Sequence, residues 1–269
     1  MTLPRISIVT PSFNQAAFLE QAIDSVLGQR YPALEYVIMD GASRDGSVEI
    51  IRHREAALAS WTSGPDDGHY AAVNAGFSKT SGEIMAWLNA DDQYLPWTFS
   101  VVAEVFEQFP EIEWVTTRWP LRWDKRGRAV RCAARTGYAR EAFLRGAYLP
   151  GNGRDVIQQE STFWRRSLWE RAGGKLDTGF PLGGDFELWA RFFQQAELFA
   201  IDTPLGGFRV HGAQRSALQR EQYDRDVRRA LAQHGGREPS TLDRWRKSPA
   251  KIVRFNKNTD AWLIETVEV

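Results

Sequence analysis

Polar side chains that could bind phosphate or a metal ion follow three strand-like runs in the first hundred residues. Each run is short and rich in aliphatic or β-branched residues, and each ends in turn-forming polar residues. The runs and the polar residues after them are 5–9 with TPSFN at 10–14, 35–39 with Asp40, and 83–88 with Asn89, Asp91 and Asp92. Because ligands bind beyond the carboxyl ends of parallel strands, we expect these groups to line one crevice.

The group Asn89, Asp91 and Asp92 suits a divalent cation that is shared with phosphate oxygens. Mg²⁺ and Mn²⁺ prefer oxygen ligands, and Mg²⁺ usually takes one or two carboxylates together with phosphates and water. Such an ion would neutralise a departing diphosphate. The alternative is that both acids cap a helix that begins near Pro96. We assign the metal to Asp91, and capping or support of the site to Asp92.

The elements that must position these groups alternate between strand and helix as far as residue 110. The predicted strands in this half are 5–9, 35–39, 58–61 and 83–88, and the predicted helices are 15–29, 46–52, 69–79 and 96–109. Beyond it we predict strands at 113–117 and 120–124 with a return toward Cys132, helices at 139–145, 166–171, 185–194 and 214–233, and a polar tail over the last 35 residues. Repeated βα units favour an α/β fold whose mostly parallel sheet is flanked by helices.

Three segments follow from this pattern. We expect residues 1–110 to form a Rossmann-like half, residues 111–213 to form the second half of the same domain, and residues 214–269 to form a helical C-terminal extension that ends in the tail. The single Cys132 excludes an intrachain disulfide and fits a reducing cytoplasm. The 34 basic residues balance 34 acidic ones, so no overall field favours nucleic acid. No run is long enough for a transmembrane segment, and no signal peptide is expected.

An ordered set of motifs over residues 5–215 resembles family 2 glycosyltransferases of the GT-A fold. The motifs are SIVTPSFN at 7–14, EYVIMDGASRDGS at 35–47, GPDDGHYAAVNAG at 64–76, GEIMAWLNADD at 82–92, QQESTFW at 158–164, GGDFELWAR at 183–191 and FRVHGAQ at 208–214. The resemblance implies an enzyme that moves a sugar from a nucleotide-diphosphate sugar to an acceptor hydroxyl. It also implies a divalent metal cofactor, Mn²⁺ or Mg²⁺.

The resemblance places the donor nucleotide on the N-terminal half. The loop from Pro11 to Phe13 lines the nucleoside, Asp40 accepts a hydrogen bond from the base, and Asp66 lies near the same base. Val73 stands where many relatives carry Arg, which leaves the choice of base open. Uridine is the commonest nucleoside of the family, and guanosine and thymidine donors also occur.

In the same resemblance Asp91 is the second acid of the family's Asp-x-Asp metal motif. The first position is Asn89, whose carbonyl can still reach ribose or a metal-bound water, although one charge fewer weakens the affinity for metal. His211 lies in the segment that closes over the diphosphate in relatives. As a neutral imidazole it could bind Mn²⁺, and as a cation it could pair with phosphate.

The acceptor side comes from the second half of the chain. Asp185 follows two glycines at the start of a predicted helix, where a carboxylate could take the acceptor proton in an inverting transfer. Glu187 points about 200° around the same helix and cannot share that role; it is placed on the acceptor side. Trp164, in the motif at 158–164, could stack on a sugar or pack in the core.

Three other classes of protein could share parts of this pattern. A dinucleotide-dependent oxidoreductase needs Gly-x-Gly-x-x-Gly after its first strand, and residues 11–15 read PSFNQ instead. A sugar-nucleotide nucleotidyltransferase needs a Gly-rich basic loop there, and none is present. A non-catalytic carbohydrate- or nucleotide-binding protein could use the 11 Trp residues but would not need acids at three strand and helix ends.

Family relatives build surface polysaccharides, lipopolysaccharide and glycolipids, so we expect a glycan or a lipid-linked acceptor. Such an acceptor would bring a cytoplasmic enzyme to the inner face of the membrane as a peripheral protein. Basic and aromatic residues of the predicted tail could assist, and a merely solvated tail is the alternative. These residues are Arg244, Trp245, Arg246, Lys247, Lys251, Arg254 and Phe255.

Overall fold

Buried apolar runs form several central strands of the protein, and helices connect them. The computed structural model describes residues 3–151 and 156–269. The strands are β1 (Ile6–Ser12), β2 (Leu34–Asp40), β3 (Ser60–Ser63), β4 (Ile84–Trp87), β5 (Gln93–Tyr94), β6 (Trp114–Thr117), β7 (Leu121–Trp123), β8 (Ala129–Cys132), β9 (Phe163–Arg165), β10 (Leu198–Ile201), β11 (Gly206–Arg209), β12 (Pro249–Asn256) and β13 (Ala261–Glu268). The helices are α1 (Ala16–Leu27), α2 (Ser47–Arg54), α3 (His69–Phe77), α4 (Thr98–Gln108), α5 (Arg140–Leu144), α6 (Arg166–Arg171), α7 (Gly184–Gln195), α8 (Arg215–Leu218) and α9 (Arg220–Gln233).

A nine-stranded sheet forms the centre of the molecule. Its order is β13-β12-β10-β6-β9-β4-β1-β2-β3. The pairs β3–β2, β2–β1, β1–β4, β6–β10 and β10–β12 are parallel, whereas β9 lies antiparallel between β4 and β6. The mostly parallel α/β sheet expected from the sequence is therefore confirmed, and both predicted halves contribute strands to it. The division of the chain at residue 110 stays a prediction.

Close packing of α3 against β1 brings the start of this helix to the edge of the sheet. Every residue of β1 is buried, as expected for a parallel strand that is covered on both faces. A Cβ atom on Gly76 would lie 2.4 Å from Cγ1 of Val9, so only glycine permits this approach of helix to strand. The N-terminus of α3 follows directly after the loop that carries Asp66.

A second, four-stranded sheet of order β5-β11-β7-β8 lies beside the main one. Strands β5, β10 and β11 were not predicted, because β5 has only two residues and β11 begins with two glycines. A Cβ atom on Gly207 would lie 2.7 Å from the indole nitrogen of Trp123, so glycine is needed where β11 meets β7. This sheet ends in Arg209, two residues before His211.

The predicted C-terminal tail is wrong, because residues 249–268 form a hairpin that extends the main sheet. Strand β12 pairs in parallel with β10 and antiparallel with β13. Gln108 of α4 fixes the hairpin, since its side chain donates to the carbonyl of Trp262 (2.7 Å) and accepts from the Trp262 amide (3.1 Å). The charges on the outward faces hid the alternating apolar residues, which include the buried Ala250 and Ile252.

Two helix predictions also need correction. The predicted helix 214–233 is divided at Gln219 into α8 and α9. Helix α4 begins at Thr98 rather than at Pro96, with Trp97 at its N-cap position. Within the described ranges 3–151 and 156–269, no helix combines the length and the apolar character that a membrane span requires.

Candidate active site

The order of the strands creates a crevice beside the carboxyl end of β1. The chain runs from β1 to β2 and β3 on one side and then continues at β4 on the other side. In open α/β sheets such a reversal of strand order marks the ligand site. The register aligns Ser12 with Asp40 and Asp40 with Ser63, so these polar residues lie together at the carboxyl ends.

Asp40 is a buried carboxylate that the surrounding turn holds in place. It is only 3% exposed. Its Oδ2 accepts hydrogen bonds from the Ser43 amide (3.0 Å) and the Ser63 hydroxyl (2.7 Å), and its Oδ1 accepts from the Ser43 hydroxyl (2.5 Å). A carboxylate has about four acceptor sites, so about one remains for a ligand donor. Asp40 therefore has a fixed position and a limited capacity to accept from a base.

Phe13 and Asp66 meet beside Gly41, directly after Asp40. A Cβ atom on Gly41 would lie 2.9 Å from Oδ2 of Asp66 and 3.3 Å from the ring of Phe13. The Phe13 ring is 61% exposed and can stack on a planar ligand, whereas Pro11 is buried in β1 and supports the turn. Asp66 Oδ1 accepts a hydrogen bond from the Gly68 amide, which leaves Oδ2 facing Gly41. The four predicted donor-side residues of this edge thus lie together.

Asp91 and His211 are in direct contact, although they are far apart in the sequence. His211 Nε2 lies 3.0 Å from Asp91 Oδ2. The imidazole packs against the ring of Phe18 with a centroid distance of 4.5 Å, and the Ala213 amide donates to its Nδ1 (3.3 Å). A ring whose Nδ1 accepts a hydrogen bond carries its proton, if neutral, on Nε2, and that nitrogen faces the carboxylate.

Asp92 is a buried support for this pair and does not cap a helix. Its Oδ1 accepts from the Arg209 amide (2.8 Å), and its Oδ2 accepts from Nδ2 of Asn89 (3.1 Å). Burial, followed by the charges of Asp91 and Glu160, raises the pKa of Asp92 well above its usual range. Arg209 also donates through Nε to the carbonyl of Asp91 (2.5 Å). The capping alternative is wrong, because α4 begins six residues after Asp92.

The residues around Asp91 fit a divalent cation that takes its remaining ligands from phosphate and water. Asp91 and His211 supply one carboxylate and one imidazole, and the buried Oδ1 of Asn89 has no hydrogen-bond partner. In the part of the chain that the structure describes, no three His, Cys, Asp or Glu side chains form a complete metal cage. One carboxylate with phosphate and water is usual for Mg²⁺, whereas the imidazole is a better ligand for Mn²⁺.

Asp185 is the second residue of α7 and is partly buried. Burial raises its pKa to about 6, and hydrogen bonds from the Phe186 amide, its own amide and the Tyr70 hydroxyl act against this rise. The Phe186 amide donates to Asp185 Oδ1 (2.8 Å), and the Tyr70 hydroxyl lies 3.5 Å from the same oxygen. A Cβ atom on Gly184 would lie 2.7 Å from the Tyr70 ring, so glycine is needed for this contact.

Asp185 also lines a small pocket with mostly aromatic walls. Most of the other wall residues are aromatic, which suits the apolar face of a sugar ring. They are Phe143, Tyr148, Val156, Ile157, Phe186, Trp189 and Tyr223. A carboxylate with a pKa close to neutrality at the wall of such a cavity has the properties of a general base.

The first two residues of α3 connect the two acidic groups. Burial lowers the pKa of His69 to about 4; the charge of Arg215 lowers it further, and the charge of Asp91 opposes the change. Tyr70, the next residue, contacts Asp185. The structure therefore places Asp91 near His69 and Asp185 in contact with Tyr70. These two residues are neighbours at the start of α3, beside the loop that carries Asp66.

Glu160 was missed in the sequence, although it lies in the motif at 158–164. It is 3% exposed and its Oε1 has no hydrogen-bond partner. Burial is the largest cause that raises its pKa to about 8, and the charges of Asp185 and Asp91 raise it as well. No local signal in the sequence singled it out, because its neighbours in the turn are polar as well.

The structure does not bring Trp164 or Glu187 to the site. Trp164 is fully buried against other aromatic rings, with centroid distances of 5.6 Å to Trp87 and 5.8 Å to Trp189, so its sugar-stacking role is wrong. Glu187 binds Arg191 (2.7 Å) and lies 3.0 Å from His234 Nε2, so both carboxylate oxygens have partners inside the protein. Its helix position already turns it away from Asp185.

Sequence comparisons agree with the fold. The family model described as Glycosyl transferase family 2 matches residues 7–172. An uncharacterized glycosyltransferase of Mycobacterium tuberculosis is 29% identical over 211 residues, which cover 78% of this chain and 76% of that protein. Glycosyltransferase AglE of Haloferax volcanii is 35% identical over 95 residues, which cover 34% of this chain and 31% of AglE.

Solved structures share the fold at low sequence identity. Staphylococcus aureus TarS 1–349 superposes with a TM-score of 0.63 at 13% identity, covering 86% of this chain and 65% of that one. The mannosyltransferase PcManGT of Pyrobaculum calidifontis, solved with GDP-Man and Mn²⁺, gives a TM-score of 0.61 at 21% identity over 91% of this chain and 68% of that one. The fold is thus of the GT-A type. The chain belongs to glycosyl transferase family 2.

Proposed function

We propose that this glycosyltransferase is an inverting, metal-dependent enzyme that moves a sugar from a nucleotide-diphosphate sugar, with UDP as the first nucleotide to test, to an acceptor hydroxyl. Asp185 is the general base of the proposed reaction. The observation that carries the proposal is its partly buried carboxyl group, with a pKa raised to about 6, at the wall of a small aromatic pocket. The Asp91–His211 pair supplies the complementary end of the site.

In this proposal the donor lies along the edge from Phe13 to Asp91. The base of the nucleotide stacks on the exposed ring of Phe13 and donates to Asp40, with Asp66 beside it. Asn89 faces the ribose or a metal-bound water through its unpartnered Oδ1. Asp91 and His211 hold Mn²⁺ or Mg²⁺, which when bound would neutralise the charge of the departing diphosphate.

Asp185 removes the proton of the acceptor hydroxyl as that oxygen attacks C1 of the sugar. Inversion requires the attack to come from the face opposite the nucleotide, so the base and the metal residues must lie on opposite sides of the sugar. The Tyr70 hydroxyl and the Phe186 amide fix the orientation of the carboxylate. Asp185 is mostly ionised above a pH of about 6, so the rate of sugar transfer should increase as the pH rises through this value.

A comparison of Asp185→Asn with Asp177→Asn tests the proposal. Asp177 is exposed and precedes the same helix, and Asn can keep its Oδ1 contact with the Gly179 amide. We expect Asp185→Asn to abolish transfer and to retain nucleotide affinity, while Asp177→Asn stays active. The assay is metal-dependent transfer or hydrolysis over a panel of sugar nucleotides. Equal loss of nucleotide binding and transfer in Asp185→Asn would refute the base assignment.

Nucleotide binding also separates this function from its alternatives. Stabilisation by UDP only when Mn²⁺ is present supports the transferase, whereas binding without turnover of any sugar nucleotide supports a non-catalytic binding protein. Release of pyrophosphate from a nucleoside triphosphate and a sugar phosphate supports a nucleotidyltransferase. TarS has been solved with UDP and with UDP-GlcNAc, and these ligands are therefore first choices for the panel.

We infer a glycan or lipid-linked acceptor in surface polysaccharide, lipopolysaccharide or glycolipid synthesis, and peripheral contact with the inner face of a membrane. The supporting feature is an exposed pair of apolar side chains, Leu242 and Trp245, beside the exposed Arg246 and Lys247. Trp245 is 85% exposed. Binding to vesicles with anionic lipid that Trp245→Ala weakens would support this location, and equal binding of both proteins would refute it.

A further inference from the structure

Glu160 lies in a turn whose other polar side chains each make at least one hydrogen bond within the protein, although Oε1 of Gln159, like Oε1 of Glu160, has no partner. The turn is a short 3-10 helix, Gln159–Ser161, that leads into β9. In and beside this turn, Gln158 bonds to the amide and the carbonyl of Leu121, and Gln159 donates to the carbonyl of Trp87 (2.6 Å). Ser161 donates to the carbonyl of Gly206 (3.1 Å), and Thr162 donates to the carbonyl of Gln158 (2.6 Å). These bonds fix the backbone of the turn between both sheets and leave the Glu160 Oε1 atom without a partner.

The carboxyl group of Glu160 lies close enough to both ends of the candidate site for the charges there to act on it. The charges of Asp185 and of Asp91 both act on it, although these acids lie on different elements. Its own charge acts in turn on Asp92 and on the hydroxyl of Tyr94, which are both buried. Glu160 therefore lies within electrostatic reach of both the metal residues and the base, and thus near the space that separates them.

An inverting transfer places the sugar in that space. The diphosphate must leave toward Asp91, and the acceptor oxygen must approach from the side of Asp185, so C1 and its ring lie between them. A buried polar atom without a partner is rare and costs free energy, which a ligand hydroxyl can recover. A carboxyl group that keeps its proton offers one donor and further acceptor sites, and each sugar hydroxyl offers both as well.

We propose that Glu160 contacts a hydroxyl group of the transferred sugar and thereby contributes to the choice of donor. This inference rests on the proposed function. The elevated pKa of Glu160, to about 8 because of burial and of Asp185 and Asp91, means that it is mostly protonated at neutral pH. A neutral acid is a poor metal ligand, so a sugar hydroxyl is the better match for this group.

The test compares the affinity for a sugar nucleotide with the affinity for the parent nucleotide. The wild-type protein is first screened for metal-dependent hydrolysis of UDP-glucose, UDP-galactose, UDP-GlcNAc and GDP-mannose, and the best substrate is used with UDP or GDP. Glu160→Met removes both hydrogen-bonding atoms and keeps an unbranched apolar chain. We expect the ratio of its affinity for the sugar nucleotide to its affinity for the parent nucleotide to fall about tenfold, which is the effect of one lost hydrogen bond. The affinity for the parent nucleotide alone should not change.

Glu160→Gln and Ser161→Ala serve as matched variants. Glutamine keeps a donor and an acceptor, and we expect it to lose about threefold at most. Ser161→Ala removes a bond of the same turn, so a lower melting temperature without a change in preference is expected. Glu160→Met should melt no lower than the wild type, because it removes an unpartnered buried oxygen. A much lower melting temperature would instead show that Glu160 has a structural role and would overturn the inference.

The outcomes for Glu160 and for the proposed function are separable. If the wild type turns over a sugar nucleotide and Glu160→Met keeps its full preference, the inference on Glu160 is wrong and the proposed function stands. If Glu160→Met does not fold, Glu160→Gln is tested with a series of donors that each lack one hydroxyl group of the sugar. If Glu160→Gln then shows the same preference among these donors as the wild type, the inference is overturned equally. If the wild type binds no nucleotide in the presence of Mn²⁺, the proposed function itself fails.

Discussion

Replacement of Asp185 by Asn should remove activity and increase stability at the same time. A general base contributes about 10²- to 10⁴-fold to a rate, so transfer should fall by at least two orders of magnitude. The side chain does not touch the nucleotide edge, and Phe186 and Tyr70 are its hydrogen-bond partners. Nucleotide affinity should therefore stay within about twofold of the wild type, because the residues that bind the nucleotide are unchanged.

The gain in stability follows from the pKa of Asp185. Folding raises this pKa from 3.8 to about 6, so the folded state favours the neutral acid. The favourable contribution is complete below pH 3.8 and is lost as the pH rises through about 6. At about 1.4 kcal/mol per pH unit, the ionised wild type at pH 8 carries a cost of about 3 kcal/mol that the Asn variant avoids.

Thermal unfolding at pH 8 and pH 5 measures this difference. We expect the Asn variant to melt about 5 °C or more above the wild type at pH 8, with a smaller gain at pH 5. A variant that melts lower at pH 8 would show that the ionised carboxylate stabilises the fold and would refute the burial argument. A variant that keeps transferring sugar would refute the role of the base.

Two further predictions concern single residues. His211→Ala should raise the Mn²⁺ concentration needed for half-maximal activity at least tenfold, because Asp91 would be left as the one remaining partner of that pair; an unchanged metal requirement would place the ion elsewhere. Trp164→Ala should lower the free energy of unfolding by about 3–5 kcal/mol without a selective effect on KM, since the ring is fully buried; a raised KM for the acceptor with normal stability would instead restore its sugar-stacking role.

The N-terminal half was the more predictable part of the fold. Its strands are continuous apolar runs, its helices have regular apolar spacing, and β1, β2 and α3 begin or end within about three residues of their predicted bounds. The strands β5, β10 and β11 were missed, because they have two to four residues and depend on pairing with distant strands. The hairpin β12–β13 was taken for a tail because charged residues alternate with its apolar ones.

The candidate site shows the same limit of local sequence signals. The acids at strand ends could be placed at one edge, because parallel strands share the direction of their carboxyl ends. The contact between Asp91 and His211 could be expected only through family resemblance, since 120 residues separate them. Glu160 could not be found, because its importance depends on burial and on the absence of a hydrogen-bond partner. Trp164 was misplaced for the same reason.

A crystal structure with UDP and Mn²⁺ tests the central claim most directly. The anomalous signal of manganese locates the ion without reference to any assigned role. The proposal predicts one peak at bonding distance from Asp91 and His211, with the uracil ring on Phe13 and the space toward Glu160 and Asp185 open for the sugar. A peak at other side chains, or a nucleotide bound away from this crevice, would contradict it.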